Sequence, residues 1–237
     1  MFRKVLFIVS VLSLAVMSAR AVTPVRAAQT QVPIFSDGFE SGNLSAWSAK
    51  VTDAGDLAVT SPAALEGTKG MRAWIDDNRN IYVQDNTPNN EAVYNIHFHF
   101  DPNSIVMANL DSHNIIVAYD LKTTLVPAIR VELRFFEGAY QVRTGSRNDA
   151  PMSWTYTRWF TISNAEHEIE VEWDGASLPG QNDGKLKLKI DGVVRADRTG
   201  LDSDTVRIDA VRIGAVAGVD TGTRGRYFFD QFESYKD

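Results

Sequence analysis

The chain predicts an all-β fold, an antiparallel sandwich of two sheets. Three observations carry this: short runs alternate apolar and polar residues with period two, turn dipeptides separate the runs, and no long stretch after residue 28 holds a helical period. A strand points successive side chains to opposite faces, so each alternating run has one face for a core and one for water. In residues 92–100, Ala92, Tyr94, Ile96, Phe98 and Phe100 form one face, and Val93, Asn95, His97 and His99 form the other. In residues 129–135, Ile129, Val131, Leu133 and Phe135 alternate with Arg130, Glu132 and Arg134. In residues 185–190, Leu186, Leu188 and Ile190 alternate with Lys185, Lys187 and Lys189. In residues 206–213, Val206 and Ile208 lead into Val211 and Ile213, with the phase shifting near Ala210. Between such runs sit Glu137-Gly138, Asp174-Gly175, Asp183-Gly184 and Asp191-Gly192, dipeptides suited to tight turns.

The first 27 of the 237 residues read as a secretory signal peptide. Arg3 and Lys4 supply the positive start, Val5 to Met17 is apolar, and small residues follow. Val25-Arg26-Ala27 fits cleavage before Ala28, with Ala19-Arg20-Ala21 as the competing site and an uncleaved anchor as the other reading. The apolar run is short for a membrane span and no second one follows. A secreted chain, extracellular or periplasmic and bacterial, with no membrane span after signal removal, is the expectation. There is no cysteine, so disulfides and lipid attachment through cysteine are both excluded. Formal charge is −6, and losing Arg3, Lys4, Arg20 and Arg26 takes it to about −10. Nucleic acids and anionic lipids want basic footprints, so neither is an expected partner. A short lead over 28–34 precedes a single domain over 35–237, with no linker, low-complexity tract or repeat dividing it.

The two ends of that domain are alike. One runs Asp37-Gly38-Phe39-Glu40-Ser41-Gly42-Asn43-Leu44-Ser45-Ala46-Trp47, the other Tyr227-Phe228-Phe229-Asp230-Gln231-Phe232-Glu233-Ser234. Strict alternation puts Phe228, Asp230 and Phe232 on one face, and a carboxylate on an apolar face needs a partner. A cation shared by the two ends would answer that need. Trp47, beside the opening motif, reads as core.

These segments, GFESGNLSAW and YFFDQFES, resemble secreted bacterial modules of the concanavalin A-like (laminin G/glucanase-type) jelly-roll superfamily. IHFHFDPNS (96–104), HEIEVEWDG (167–175) and GKLKLKIDG (184–192) extend the resemblance from about residue 34 to the end. It implies a jelly-roll β-sandwich. It also implies a structural calcium held by Glu40, the carbonyl of Gly70 (with Gly67 as rival) and Asp230. Calcium takes six to eight oxygens, so carboxylates and carbonyls are the right donors. The competing reading is that Glu40 and Asp230 accept hydrogen bonds or pair with Arg72 or Arg226.

Glu168, Glu170 and Glu172 share a strand face and resemble the three-acid ExDxE signature of the superfamily's retaining glucanases, which need two carboxyls about 5–5.5 Å apart. The middle Asp is replaced by Glu170, and the segment resembles a later strand pair than the catalytic one. A solvated face over Ile169, Val171 and Trp173 is the preferred reading, with no catalytic residue assigned. His97 and His99 share a face but lack a third ligand nearby. No nucleophile elbow, phosphate loop or zinc spacing occurs.

Aromatics offer the binding chemistry. Trp74, Tyr82, Trp154, Tyr156 and Trp159 are candidates to stack on sugar rings, with Arg143 or Arg158 flanking. The expected function is a non-catalytic, lectin-like carbohydrate-binding module with a glycan or polysaccharide partner. The alternatives are a glycoside hydrolase or lyase of the same fold, and a structural or protein-binding module.

Overall fold

The computed structural model describes residues 31–150 and 153–236, and the proposed signal peptide lies outside them. In chain order the strands are β1 (Val32–Asp37), β2 (Ala49–Val51), β3 (Leu57–Thr60), β4 (Gly70–Ile75), β5 (Ile81–Asp85), β6 (Val93–Asp101), β7 (Ser112–Leu121) and β8 (Leu125–Phe136). They continue as β9 (Ala139–Arg147), β10 (Trp154–Tyr156), β11 (Phe160–Ile162), β12 (His167–Asp174), β13 (Gly184–Ile190), β14 (Val193–Leu201), β15 (Ala210–Ala217) and β16 (Gly225–Lys236). The first sheet runs β14-β13-β12-β6-β16-β4-β3, with β1 also on β16. The second runs β10-β9-β8-β7-β15-β5-β2, with β11 also on β9. All pairings are antiparallel.

The alternating runs place the core. Tyr94, Ile96, Phe98 and Phe100 of β6 are fully buried, as are Ile129, Val131 and Leu133 of β8 and Ile169, Val171 and Trp173 of β12. They interdigitate between the sheets, as the inner faces of a sandwich do. Trp47 is buried among Phe35, Phe39 and Phe232, and its indole N–H donates to Asp37 Oδ2 at 2.8 Å. Two of the four turn dipeptides make two-residue hairpins: Glu137-Gly138 joins β8 to β9 and Asp191-Gly192 joins β13 to β14. Both residues of each have positive φ, the backbone that matches the twist of the flanking strands. Asp174-Gly175 and Asp183-Gly184 instead bound the longer connection between β12 and β13.

The last strand departs from strict alternation. Its register slips between Asp230 and Glu233, and Gln231 sits at φ +46°. A β-bulge of this kind resets which residues face inward. Tyr227, Phe229 and Phe232 are therefore the fully buried aromatics, while Phe228 is only partly buried. The expectation that Phe228, Asp230 and Phe232 share one apolar face is corrected by that inserted residue.

Two polar links cross the core. Trp173 Nε1 of the first sheet donates to Ser146 Oγ of the second at 2.9 Å. His113 of β7 stacks on Tyr227 of β16, with Nε2 3.2 Å from the phenol oxygen. Burial pushes His113 down to about 4, because a charged imidazole has no solvation there. An unfolded histidine binds its proton near 6.5, so acid favours unfolding between the two values. Stability from this residue is complete above about pH 6.5 and falls by roughly 3 kcal/mol as pH drops toward 4. Urea denaturation across that range should show the loss in the parent chain, and His113→Phe should flatten most of it.

Candidate functional site

The outer face of the second sheet carries the richest chemistry. Cross-strand register sets a row along it: Gln84 of β5 faces Arg212 of β15, Arg212 faces Val117 of β7, and Val117 faces Arg130 of β8. Arg130 then faces Gly145 of β9, which faces Tyr156 of β10. The same outer positions one pleat along include Tyr82 on β5, Glu132 and Arg134 on β8, and Gln141 and Arg143 on β9. Each alternates with a core residue, so the buried pattern of the strands fixes which side these groups occupy.

Guanidiniums and rings interleave along the row. Arg130 lies over the Trp154 ring at 3.9 Å, and Trp154 stacks on Tyr156 at 5.8 Å. Arg143 lies over Tyr156 at 4.1 Å and over Trp159 at 4.4 Å, while Arg134 covers Trp159 at 4.3 Å. At the far end Arg212 lies over Tyr82 at 4.2 Å and Tyr119 at 4.8 Å. Amides complete the set: Arg212 donates to Gln84 Oε1 at 2.7 Å, and Arg134 donates to Gln141 Oε1 at 2.5 and 3.0 Å. Arg143 is ion-paired with Glu132. Burial, and then the charge of Arg143, hold the Arg134 guanidinium below the usual arginine value. Gly145 makes room for this packing, since a Cβ there would fall 2.4 Å from the Tyr156 ring.

Four of the five candidate aromatics, Tyr82, Trp154, Tyr156 and Trp159, therefore meet on one face together with Arg143. Trp74 does not join them. It lies on β4 in the first sheet, exposed between Arg72 and Arg226. Tyr82 is on the next strand in sequence, yet that strand belongs to the other sheet. Sequence reasoning missed Arg130, Arg134, Arg212, Gln84, Gln141 and Tyr119 as members of this face. The alternation in β8 already marked Arg130 and Arg134 as outward. Their aromatic neighbours arrive from β10 and the segment after it, a non-local pairing that no spacing rule reveals.

The outer face of the first sheet is built differently. Glu168 meets His97 Nε2 at 2.9 Å, and Glu170 meets Lys189 Nζ at 3.1 Å and the Tyr235 hydroxyl at 2.7 Å. Glu172 is ion-paired with both Lys187 and Lys189. Burial pushes the Glu172 carboxyl up, but the lysines outweigh it and hold it below the usual range. A glycosidase needs one carboxyl raised to act as acid, and Glu172 is shifted the other way. His97 and His99 are turned to Glu168 and Glu166.

Glu40 and Asp230 both meet one loop, at Leu65–Glu66 and Thr68–Lys69. Asp230 Oδ2 accepts the amides of Leu65 and Glu66 at 2.9 and 3.1 Å, and Oδ1 accepts that of Gln231 at 2.9 Å. Glu40 Oε1 accepts the amides of Thr68 and Lys69 at 2.8 and 3.0 Å, and Oε2 accepts the Thr68 hydroxyl at 2.6 Å. These bonds hold the Glu40 carboxyl below its usual range, the Thr68 hydroxyl first. Gly67, at φ +68°, leaves space for Glu40 Oε1, which would lie 2.4 Å from a Cβ. Gly70 packs on the Ala63 carbonyl, 2.1 Å from where its Cβ would be. The loop thus turns the N–H groups of Leu65, Glu66, Thr68 and Lys69 toward the two carboxylates.

No family model matches the chain, and no curated protein matches it. Among solved structures, the fold is similar to a double mutant of alginate lyase Aly36B in complex with an alginate tetrasaccharide. The TM-score is 0.62, with 10% identity over 87% of this chain and 96% of that one. It is similar to a carbohydrate esterase from Shiga toxin-encoding bacteriophage phi24B, with a TM-score of 0.58 and 12% identity over 88% and 100% of the two chains. It is also similar to the binding domain of Paraclostridial Mosquitocidal Protein 1, with a TM-score of 0.57 and 13% identity over 86% of this chain and 49% of that one. These likenesses are of fold, a jelly-roll-like two-sheet sandwich.

Two outcomes check the geometry. Asp230→Ala strands the amides it serves and should cost about 3 kcal/mol in urea denaturation. Gly145→Ala should cost about 1–3 kcal/mol by overpacking Tyr156, and that cost should largely vanish in a Tyr156→Ala background.

Proposed function

We propose that the chain is a secreted, non-catalytic carbohydrate-binding module of the concanavalin A-like type, holding a glycan on the outer face of the second sheet. One observation supports this most: Tyr82, Trp154, Tyr156 and Trp159, from separate parts of the chain, converge on a single face beside Arg143. A shallow glycan site needs aromatic anchors flanked by groups that fix hydroxyls. Gln84, Gln141 and the guanidiniums supply the second part. The signal-like segment over 1–27 supports export. Fold similarity to carbohydrate-active proteins agrees with the reading.

Catalysis is the second reading. It is favoured by the Tyr156 hydroxyl, 3.4 Å from Arg130 Nη1 and beside Arg143, a proton carrier next to cations. The retaining or inverting two-carboxylate scheme is not supported there, because Glu132 is engaged by Arg143.

Affinity electrophoresis through gels carrying different soluble polysaccharides tests the binding reading. One polymer should retard the chain, Trp154→Ala and Tyr156→Ala should abolish the shift, and Trp74→Ala on the other sheet should keep it. Absence of retardation across a broad panel would overturn it. Shortening of the polymer during incubation, lost in Tyr156→Phe, would establish the enzyme instead.

A further inference from the structure

Five arginines lie on the proposed binding face: Arg130, Arg134, Arg143, Arg212 and Arg147, which pairs across strands with Trp154. Arg143 and Arg147 have acidic partners, Glu132 and Asp120. Among the described residues Arg130 meets the Tyr156 hydroxyl at 3.4 Å and the Trp154 ring, and its buried Nε has no hydrogen-bond partner. Arg134 meets the Gln141 amide and the rings of Phe136 and Trp159. Arg212 meets the Gln84 amide, the Tyr119 hydroxyl at 3.4 Å and two tyrosine rings. All these partners are neutral.

That scarcity of acids is selective. The chain has 30 acidic residues against 24 basic ones, so carboxylates are not in short supply. On the first sheet the β13 lysines are each matched by an acid: Lys185 by Asp174, Lys187 by Glu172, and Lys189 by Glu170 and Glu172. On the second sheet Arg143 is matched by Glu132, and Arg147 and Lys122 by Asp120, whereas among the described residues Arg130, Arg134 and Arg212 have no carboxylate within ion-pair distance.

The rings also act differently from open stacking platforms. Trp159 has Arg134 and Arg143 over it, Tyr156 has Arg143, Trp154 has Arg130 and Tyr82 has Arg212. Planar guanidiniums packed on rings lose less freedom when they form hydrogen bonds, and they present paired donors that match a carboxylate or sulfate. The aromatics thus brace the arginines, and rings and guanidiniums together are what the face presents.

Resting on the glycan reading, we infer that the ligand is an acidic polysaccharide whose carboxylate or sulfate groups are bound by the guanidiniums of Arg130, Arg134 and Arg212. The polymer lies across the strands. The row from β5 to β10 crosses five strand spacings, roughly 24 Å at about 4.8 Å each, the reach of an oligosaccharide segment rather than a single sugar. At the Arg212 end lies an open depression of about 480 Å³ between Gln84, Leu121, Leu125, Ala210 and the acidic Asp209, which marks where the anionic path ends. Single-stranded nucleic acid, the other flexible polyanion, is bound mainly by stacking bases on free rings. Here the rings are engaged by guanidiniums.

Calorimetric titration of the full chain with four probes tests this: polygalacturonate, the same polymer with its carboxyls reduced to alcohols, dextran sulfate and oligo-deoxythymidine. Polygalacturonate or dextran sulfate should bind, and which one does assigns carboxylate or sulfate. Raising salt from low to high ionic strength should weaken that binding on the order of tenfold. Arg130→Gln and Arg212→Gln, at separate places on the row, should each weaken it on the order of tenfold, and Lys187→Gln on the other sheet should not. Equal, salt-insensitive binding of the carboxyl-reduced polymer would overturn the acidic ligand and leave the glycan reading standing. Oligo-deoxythymidine binding above both acidic polysaccharides, or no binding by any probe, would overturn both.

Discussion

The C-terminal strand holds the first sheet together, and the rest of the sandwich depends on how it is gripped. From Phe228 to Tyr235 β16 pairs with β6 on one side, while on the other its first half pairs with β4 and its second half with β1. The change of partner falls at the bulge, and Asp230 sits at that point with its carboxylate on the amides of Leu65 and Glu66. A buried carboxylate is costly unless donors surround it, and here backbone amides do so. Glu40 repeats the device a few residues on, so both ends of the chain clasp the loop over 64–69. Without disulfides, this clasp is what ties the ends of the domain to its middle.

The sandwich then divides labour between two unlike outer faces. On the first sheet, glutamates of β12 and lysines of β13 pair across strands, and exposed ladders of this kind contribute little each. On the second, arginines are supported by rings and amides. The same strand alternation that fills the core produces both surfaces, since every inward aliphatic residue dictates an outward neighbour. What differs is the partner chemistry brought alongside by the sheet order.

Much of this was legible in the sequence, and the division between legible and illegible is physical. Alternation located β6, β8 and β13 because half-buried strands are written with period two, and Asp191-Gly192 and Glu137-Gly138 marked hairpins because few residues accept positive φ. The bulge at Gln231 carried no such mark: a non-glycine residue takes the left-handed conformation there. Trp74 and Tyr82 looked alike as exposed-strand aromatics, yet the connection between β4 and β5 crosses from one sheet to the other. The outward direction of Arg130 and Arg134 was readable, whereas their meeting with Trp154 and Trp159 depends on β10 folding back on β9. Glu40 and Asp230 were legible as partners of one feature, whereas the amides that meet them belong to a loop far from both in sequence.

The unlike faces also give the molecule an electrical polarity. One side of the sandwich carries a ladder of paired glutamates and lysines and the other three arginines with neutral partners, within a chain whose total is negative. If the arginine face binds an acidic matrix as proposed, the field of that matrix would turn the molecule before contact, presenting the arginine face. Orientation on a surface would then be set at a distance of about a Debye length, roughly 10 Å in dilute salt, ahead of any specific contact.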